Sequence, residues 1–298
     1  MSEDRRRRVQ RLKKLIIFTL IVFLILPLVL CGFLFYKVFS LEKQLDRMEQ
    51  LLQTKIETQK VEMAKAYTLP AEEPEEEEEE KPAEPDVGRK VYLTFDDGPS
   101  ANTNAILDVL AQYNVKATFF VTATNADAYG DCYKRIVEEG HSIGIHSYSH
   151  IYQEIYSSLE NYQADFNRLQ EFLKEKTGQD VKICRFPGGS SNTVSRVPMN
   201  EIIDWVTEEG FVYYDWNVSG GDADNSYVSA QKIYESTIQG VSEHTNVHVL
   251  LHDSGNKTST VEALPLIIEE ILNMEDTALL PITEVSTPIQ HSVITKEY

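Results

Sequence analysis

The chain has 298 residues, 42% of them hydrophobic, enough to bury one substantial core. Its formal net charge is −19, unevenly spread: residues 1–14 carry seven Lys/Arg against two acids, whereas residues 87–298 hold 14 bases and 30 acids. Affinity for phosphate backbones comes from Lys and Arg, so this composition excludes nucleic-acid binding by the acidic part and favours a neutral or cationic partner.

Residues 15–36 are an almost unbroken apolar run without a charge. As a helix the run is long enough to cross a bilayer core, which takes about 20 residues. The basic residues 1–14 before it predict a cytoplasmic amino end and an exported remainder. The stretch is long for a cleaved signal peptide, and no small-x-small site follows it. The expectation is an uncleaved single-pass anchor in the cell membrane, with the rest of the chain outside the cell.

Over residues 37–69, Val38, Leu41, Leu45, Met48 and Leu52 recur at three- and four-residue steps. This predicts a short helical stalk, but about two heptads give only a weak suggestion of dimerisation through it. Residues 70–87, with Pro70, Pro74, Pro82, Pro85 and a run of Glu at 75–80, read as a self-repelling linker with too little apolar surface to order itself.

Residues 88–298 have the texture of one globular domain. Strands are predicted at 91–95, 117–121, 142–145, 181–186, 211–217, 247–252 and 278–283, and helices at 102–113, 159–176, 200–209, 230–239 and 260–274. Seven strands alternating with helices imply an α/β fold with a parallel sheet, arranged as a barrel. Of three cysteines, Cys31 lies in the apolar run. Cys132 and Cys184 read as buried thiols, with a disulfide between them left open, and no C-x-x-C pair indicates a zinc ribbon or redox motif.

In parallel β/α folds reactive groups gather beyond the carboxyl ends of strands. Five of the seven predicted strands end in such groups: Asp96-Asp97-Gly98-Pro99, His146-Ser147-Tyr148-Ser149-His150, Arg185-Phe186-Pro187-Gly188, Gly220-Gly221-Asp222 and His252-Asp253. His146 and His150, four apart, would face the same way on a helical turn. Two His with one Asp are a usual ligand set for a hydrolytic metal site, with zinc the default and cobalt or manganese as alternatives. Adjacent Asp96 and Asp97 can divide the work, one binding metal and the other acting as base, although Asp-Asp-Gly-Pro by itself also suits an ordinary turn.

Together, Thr94-Phe95-Asp96-Asp97-Gly98-Pro99, His146-x-x-x-His150, Arg185-x-Pro187 and Leu250-x-His252 resemble the ordered signature of the polysaccharide deacetylases (NodB homology, carbohydrate esterase family 4). The resemblance covers about residues 88–285. It implies a distorted (β/α)7 barrel, metal ligation by Asp97, His146 and His150, and Asp96 as the base that activates water. It also implies Gly188 N–H after Pro187 as an oxyanion donor, His252 as the acid, Arg185 as the partner of Asp96, and Leu250 as a wall for the acetyl methyl group. Two positions depart from the family pattern: Gly188 stands where Tyr is frequent, and the Asp-Trp of the fourth motif has no straightforward match. One alignment places its aspartate at Asp222, supporting Arg185 or His252, with Ala223 in place of Trp; the rival uses Asp215-Trp216. The implied activity is removal of N-acetyl groups from peptidoglycan N-acetylglucosamine. Chitin-like or O-acetylated glycans, or an inactive wall-binding domain, are the alternatives.

Overall fold

The run Arg89–Asp96 forms β1, whose last six residues are all buried, as a parallel strand covered on both faces requires. In this computed structural model, which describes residues 84–223 and 227–294, seven more strands follow: β2 (Thr118–Thr122), β3 (Ser142–Ser147), β4 (Ile183–Cys184), β5 (Val212–Tyr213), β6 (Val218–Ser219), β7 (Asn246–His252) and β8 (Thr277–Leu279). The sheet order is β5-β4-β3-β2-β1-β7-β6, with β8 pairing β1, and every pairing is parallel. Helices α1 (Thr103–Gln112), α2 (Ala126–Tyr129), α3 (Asp131–Glu138), α4 (Tyr152–Ile155), α5 (Leu159–Thr177), α6 (Met199–Glu208), α7 (Ala230–Glu243) and α8 (Thr258–Leu272) lie between strands. Their apolar faces and the strands share one core that includes Leu93, Phe119, Phe120, Leu169 and Ile267.

All five predicted helices are present, and the segments that sequence periodicity misread are informative. Only residues 212–213 of the predicted strand 211–217 are strand, as β5; β6 at 218–219 follows it unpredicted, and the residues between them leave the ladder. There the Asp215 N–H donates to the Ile289 carbonyl (2.7 Å) and the Asn217 N–H to the His248 carbonyl (3.2 Å). The edges β5 and β6 do not pair, so the expected barrel is an open, distorted one, and the carboxyl-terminal segment runs along the gap. The Tyr214 hydroxyl donates to the carbonyls of Thr283 (2.9 Å) and Ser286 (3.1 Å), fastening that segment. Helices α2, α3 and α4 were not predicted; α2 and α4 span only four residues each, too few for a helical period to show.

Register places the chemistry. Asp96 on β1 lies level with His252 on β7, and Ile145, just before His146, is level with Cys184, just before Arg185. Cys132 and Cys184 are both free and buried, so the alternative of a disulfide between them is set aside. The predicted anchor 15–36, the stalk 37–69 and linker residues 70–83 lie outside the described residues. Among the described residues no helix is long and apolar enough to cross a membrane.

On β3, a Cβ added at Gly144 would lie 2.5 Å from Phe120 Cδ1 and 3.2 Å from Ile183 Cγ1. Overpacking of this kind costs about 1–3 kcal/mol. Gly144→Ala is therefore expected to lower the midpoint of thermal unfolding by several degrees, measured by circular dichroism.

Candidate active site

The carboxyl ends of β1, β3 and β7, with the loops after β4 and β5, surround a cavity of about 490 Å³. It is lined by Asp96, Asp97, His146, His150, Tyr152, Gly188, Trp216, Ala223, Leu250 and His252. That volume falls within the roughly 300–1,000 Å³ typical of small-molecule sites. Eight of the eleven residues singled out by sequence meet here: Asp96, Asp97, His146, His150, Gly188, Trp216, Leu250 and His252. The other three, Arg185, Pro187 and Asp222, stand behind the lining.

Asp97, His146 and His150 offer ligand atoms that all lie within 4.8 Å of one another. Asp97 Oδ1 is 3.4 Å from His146 Nε2 and 3.1 Å from His150 Nε2. The His146 Nδ1–H donates to the Arg185 carbonyl (2.7 Å), which fixes the tautomer and leaves Nε2 with a lone pair toward Asp97. His150 Nε2 is buried without a hydrogen-bond partner among the described residues. A nitrogen orphaned there, beside a second imidazole and a carboxylate, fits a divalent cation shared by the three. Without a cation and with both its ring nitrogens protonated, His146 instead donates to Asp97; burial acts to raise the Asp97 carboxyl, but that hydrogen bond and the neighbouring imidazoles outweigh it and hold the group far below the usual range.

The expected helical turn carrying both histidines is not what the chain adopts. His146 is on strand β3 and His150 is in the following turn, with φ +54°. Asp97 also has left-handed backbone, φ +74°. Such backbone costs of order 1–3 kcal/mol for a residue other than Gly and persists only where its surroundings enforce it. Asp165 on α5 supplies that enforcement at His150. It accepts from Ser147 Oγ (2.7 Å), Tyr148 N–H (2.8 Å) and Ser149 N–H (2.9 Å), while Ser147 Oγ accepts from the His150 N–H (2.9 Å).

Asp96 is nearly fully buried and accepts from Arg185 Nη1 at 2.9 Å. Arg185 has no exposed surface; its other donors go to Thr94 Oγ1 (2.5 Å), the Tyr214 carbonyl (2.8 Å) and the Asp215 carbonyl (3.0 Å). Across β7, the His252 Nδ1–H donates to Asp222 Oδ1 (2.8 Å), leaving Nε2 as the remaining ring nitrogen. Asp222 Oδ2 accepts from the His252 N–H (2.8 Å) and Thr260 Oγ1 (2.8 Å). Burial lowers the His252 pKa, but Asp222, then Asp96 and Asp97, outweigh it and hold the imidazole above its ordinary value. Of the two supports left open for Asp222, it therefore takes His252, not Arg185.

Both alignments of the fourth motif turn out to carry part of the answer. Asp222 backs His252, whereas the indole that lines the cavity belongs to Trp216. Asp215 instead holds the loop after β4 by accepting from the Ser190 N–H (2.9 Å) and the His291 N–H (2.8 Å). Pro187 turns its carbonyl away, toward the Tyr156 hydroxyl that donates to it (2.8 Å). In a trans peptide N–H and C=O point in opposite directions, so this bond fixes the direction of the Gly188 N–H, which makes no hydrogen bond among the described residues. Asp165, Tyr152, Tyr156, Thr260 and His291 escaped the sequence reading. Each is an ordinary helix or loop residue in sequence, and only the two tyrosines, two and six residues after His150, lie near enough to a motif to invite attention.

Two imidazoles and a carboxylate that could together hold a metal ion lie beside a buried second carboxylate at the rim of a parallel sheet. The polysaccharide deacetylase family model matches residues 83–202. The chain is 30% identical to a peptidoglycan-N-acetylglucosamine deacetylase of Bacillus cereus, over 80% of this chain and 81% of that one. To YheN of Bacillus subtilis it is 33% identical over 61% of this chain, and it spans only 64% of that relative's length. The catalytic domain of peptidoglycan N-acetylglucosamine deacetylase from Eubacterium rectale superposes with a TM-score of 0.67 at 41% identity, covering 72% of this chain and 96% of that one. The chain belongs to the polysaccharide deacetylase family.

Residues that orient a metal ligand usually matter about 10–100-fold in affinity when lost. If Asp97, His146 and His150 hold zinc, as the sequence predicts, Asp165→Ala is expected to weaken its binding by that factor in isothermal calorimetry, because the turn presenting His150 loses its three-bond anchor.

Proposed function

We propose that this chain is a metal-dependent deacetylase that removes N-acetyl groups from a cell-wall polysaccharide, with peptidoglycan N-acetylglucosamine as its substrate. One observation carries the reading. Three ligand atoms converge within 4.8 Å in a cavity that also holds a carboxylate pinned by Arg185 and an imidazole pinned by Asp222. The substrate is supported by the similarity to the Bacillus cereus and Eubacterium rectale peptidoglycan N-acetylglucosamine deacetylases.

Asp97, His146 and His150 would hold a divalent cation, zinc by the chemistry of a mixed imidazole and carboxylate set, with cobalt or manganese as substitutes. When bound, such an ion acts as a Lewis acid that polarises a carbonyl and acidifies water. Asp96 serves as general base: the Arg185 fork fixes its orientation, and its carboxylate takes a proton from the attacking water. Attack makes the planar acetamide carbon tetrahedral and moves negative charge onto its oxygen. The Gly188 N–H, fixed through Pro187 and Tyr156, donates to that oxygen. His252, whose imidazole Asp222 holds above its ordinary pKa, delivers a proton to the amine nitrogen as the C–N bond breaks, releasing acetate and a free amino group. Leu250 and Trp216 supply apolar walls for the acetyl methyl group.

Residues 15–36 would anchor the chain in the cell membrane with residues 1–14 in the cytoplasm. The stalk 37–69 and the acidic linker 70–87 would then let the domain from residue 88 reach a wall just outside the membrane.

Acetate released by the full chain with zinc from purified peptidoglycan, chitooligosaccharides and acetylxylan tests the reading. Peptidoglycan is expected to be the best substrate; no release from it overturns the assignment. Asp96→Asn should reduce turnover by roughly 10²–10⁴-fold, the usual worth of a general base, while zinc binding stays near that of the parent chain. Asp222→Asn removes the partner that raises His252. A bound cation would itself lower the imidazole, but loss of Asp222 lowers it further in either state. The alkaline limb of the kcat/KM profile should therefore move to lower pH, with kcat down about tenfold or more.

A further inference from the structure

The cavity has a polar group for which the mechanism above has no use. Tyr152, at the start of α4, lines the cavity with the metal-ligating and acid–base residues. Its hydroxyl makes no hydrogen bond among the described residues and is not sealed from solvent space. The ring is held edge-on between two others, with centroids 5.3 Å from His150 and 5.9 Å from Tyr156.

The hydroxyl lies beside residue 188. Gly188 has φ +77°, and a Cβ there would come within 3.3 Å of both Tyr152 Cε1 and the Tyr152 hydroxyl oxygen. Tyr152 thus fills the volume into which a side chain at 188 would project, and its hydroxyl borders a residue that also lines the cavity. Tyr156 couples the two features, since it packs on Tyr152 and donates to the Pro187 carbonyl of the same peptide unit (2.8 Å).

A tyrosine hydroxyl keeps its proton throughout the neutral range, its ordinary pKa being about 10, and so is a donor there. A donor at the cavity wall with no protein acceptor among the described residues is placed to donate to a bound ligand.

We propose that the Tyr152 hydroxyl is a catalytic donor to the acyl oxygen of the substrate, forming a two-donor corner with the Gly188 N–H. The inference rests on the deacetylase reading and deepens it. The corner receives the carbonyl oxygen on entry and grips it harder as negative charge develops. The bond that breaks is still the amide C–N, and the phenol keeps its proton throughout. Because residue 188 has no side chain, the second donor comes from the segment that also carries His150, so donor and metal ligand move as one unit.

The test is Tyr152→Phe in the full chain, which retains the ring packing and removes only the hydroxyl. Kinetics are read as acetate released from peptidoglycan and from chitotetraose, with zinc affinity measured by calorimetry in parallel. The expected result is a kcat lower by about ten- to a hundredfold, with KM changed by less than about threefold, the signature of an interaction made mainly in the transition state. Zinc affinity should match that of the parent chain. An unchanged kcat in an active parent background overturns the assignment, as does a raised KM alone, which would place the hydroxyl on the ground-state sugar. A parallel loss of zinc affinity also overturns it, since Tyr152 would then be a prop for His150. If the parent chain releases no acetate from any acetylated glycan while it binds zinc, the deacetylase reading itself has failed and the donor role falls with it.

Discussion

A guanidinium with no exposed surface, Arg185, lies under the floor of the cavity and constrains everything above it. A buried charge is tolerable only when paired and fully hydrogen-bonded, and removing one partner of such a pair costs about 3–5 kcal/mol. Arg185 meets that requirement with Asp96 and Thr94 on β1 and with the carbonyls of Tyr214 and Asp215. Its own carbonyl accepts from His146 on β3. One residue thus ties the candidate base, a candidate metal ligand and the strand-free stretch after β5 into a single unit. The opening in the barrel is part of this arrangement, because the carbonyls of Tyr214 and Asp215 reach Arg185 from a segment that has left the ladder.

Around that fixed point the rim is built from residues in costly conformations supported from behind. Asp97 and His150 both carry left-handed backbone, and at His150 the turn is wrapped on the Asp165 carboxylate and Ser147 hydroxyl. On the opposite flank Asp222 holds His252 through both the ring and the backbone N–H. The loop after β4 is held by Asp215 and Tyr156, and the carboxyl-terminal segment reaches it through His291. Supports of this kind are what keep reacting groups within fractions of an ångström of a productive geometry.

Much of the domain was legible because periodicity survives in sequence. The long strands at β1 and β7 and the long helices α5 and α8 each bury a regular set of positions, and their predicted bounds fall within a few residues of those observed. Two-residue strands such as β4 and β5 offer no period to read. The strand expected at 211–217 shortens to β5 because, beyond Tyr214, the Asp215 N–H goes to the carboxyl-terminal segment and the Asn217 N–H to His248. The expected helical turn at His146 failed for a related reason. A four-residue spacing fits a helix face, but here it spans a strand end and a turn whose shape depends on Asp165, distant in sequence.

The sequence by itself determined which residue types reach the rim, since acids, imidazoles and an arginine at the ends of apolar runs must leave the core together. It also determined the strong charge asymmetry between residues 1–14 and the acidic domain. Only the tertiary structure decided which aspartate backs His252, which indole walls the cavity, and that a tyrosine from α4 occupies the space beside Gly188. These are contacts between segments separated along the chain, and hydrogen-bond partners at such range are chosen by the packing of the whole sheet, which no local pattern of residues encodes.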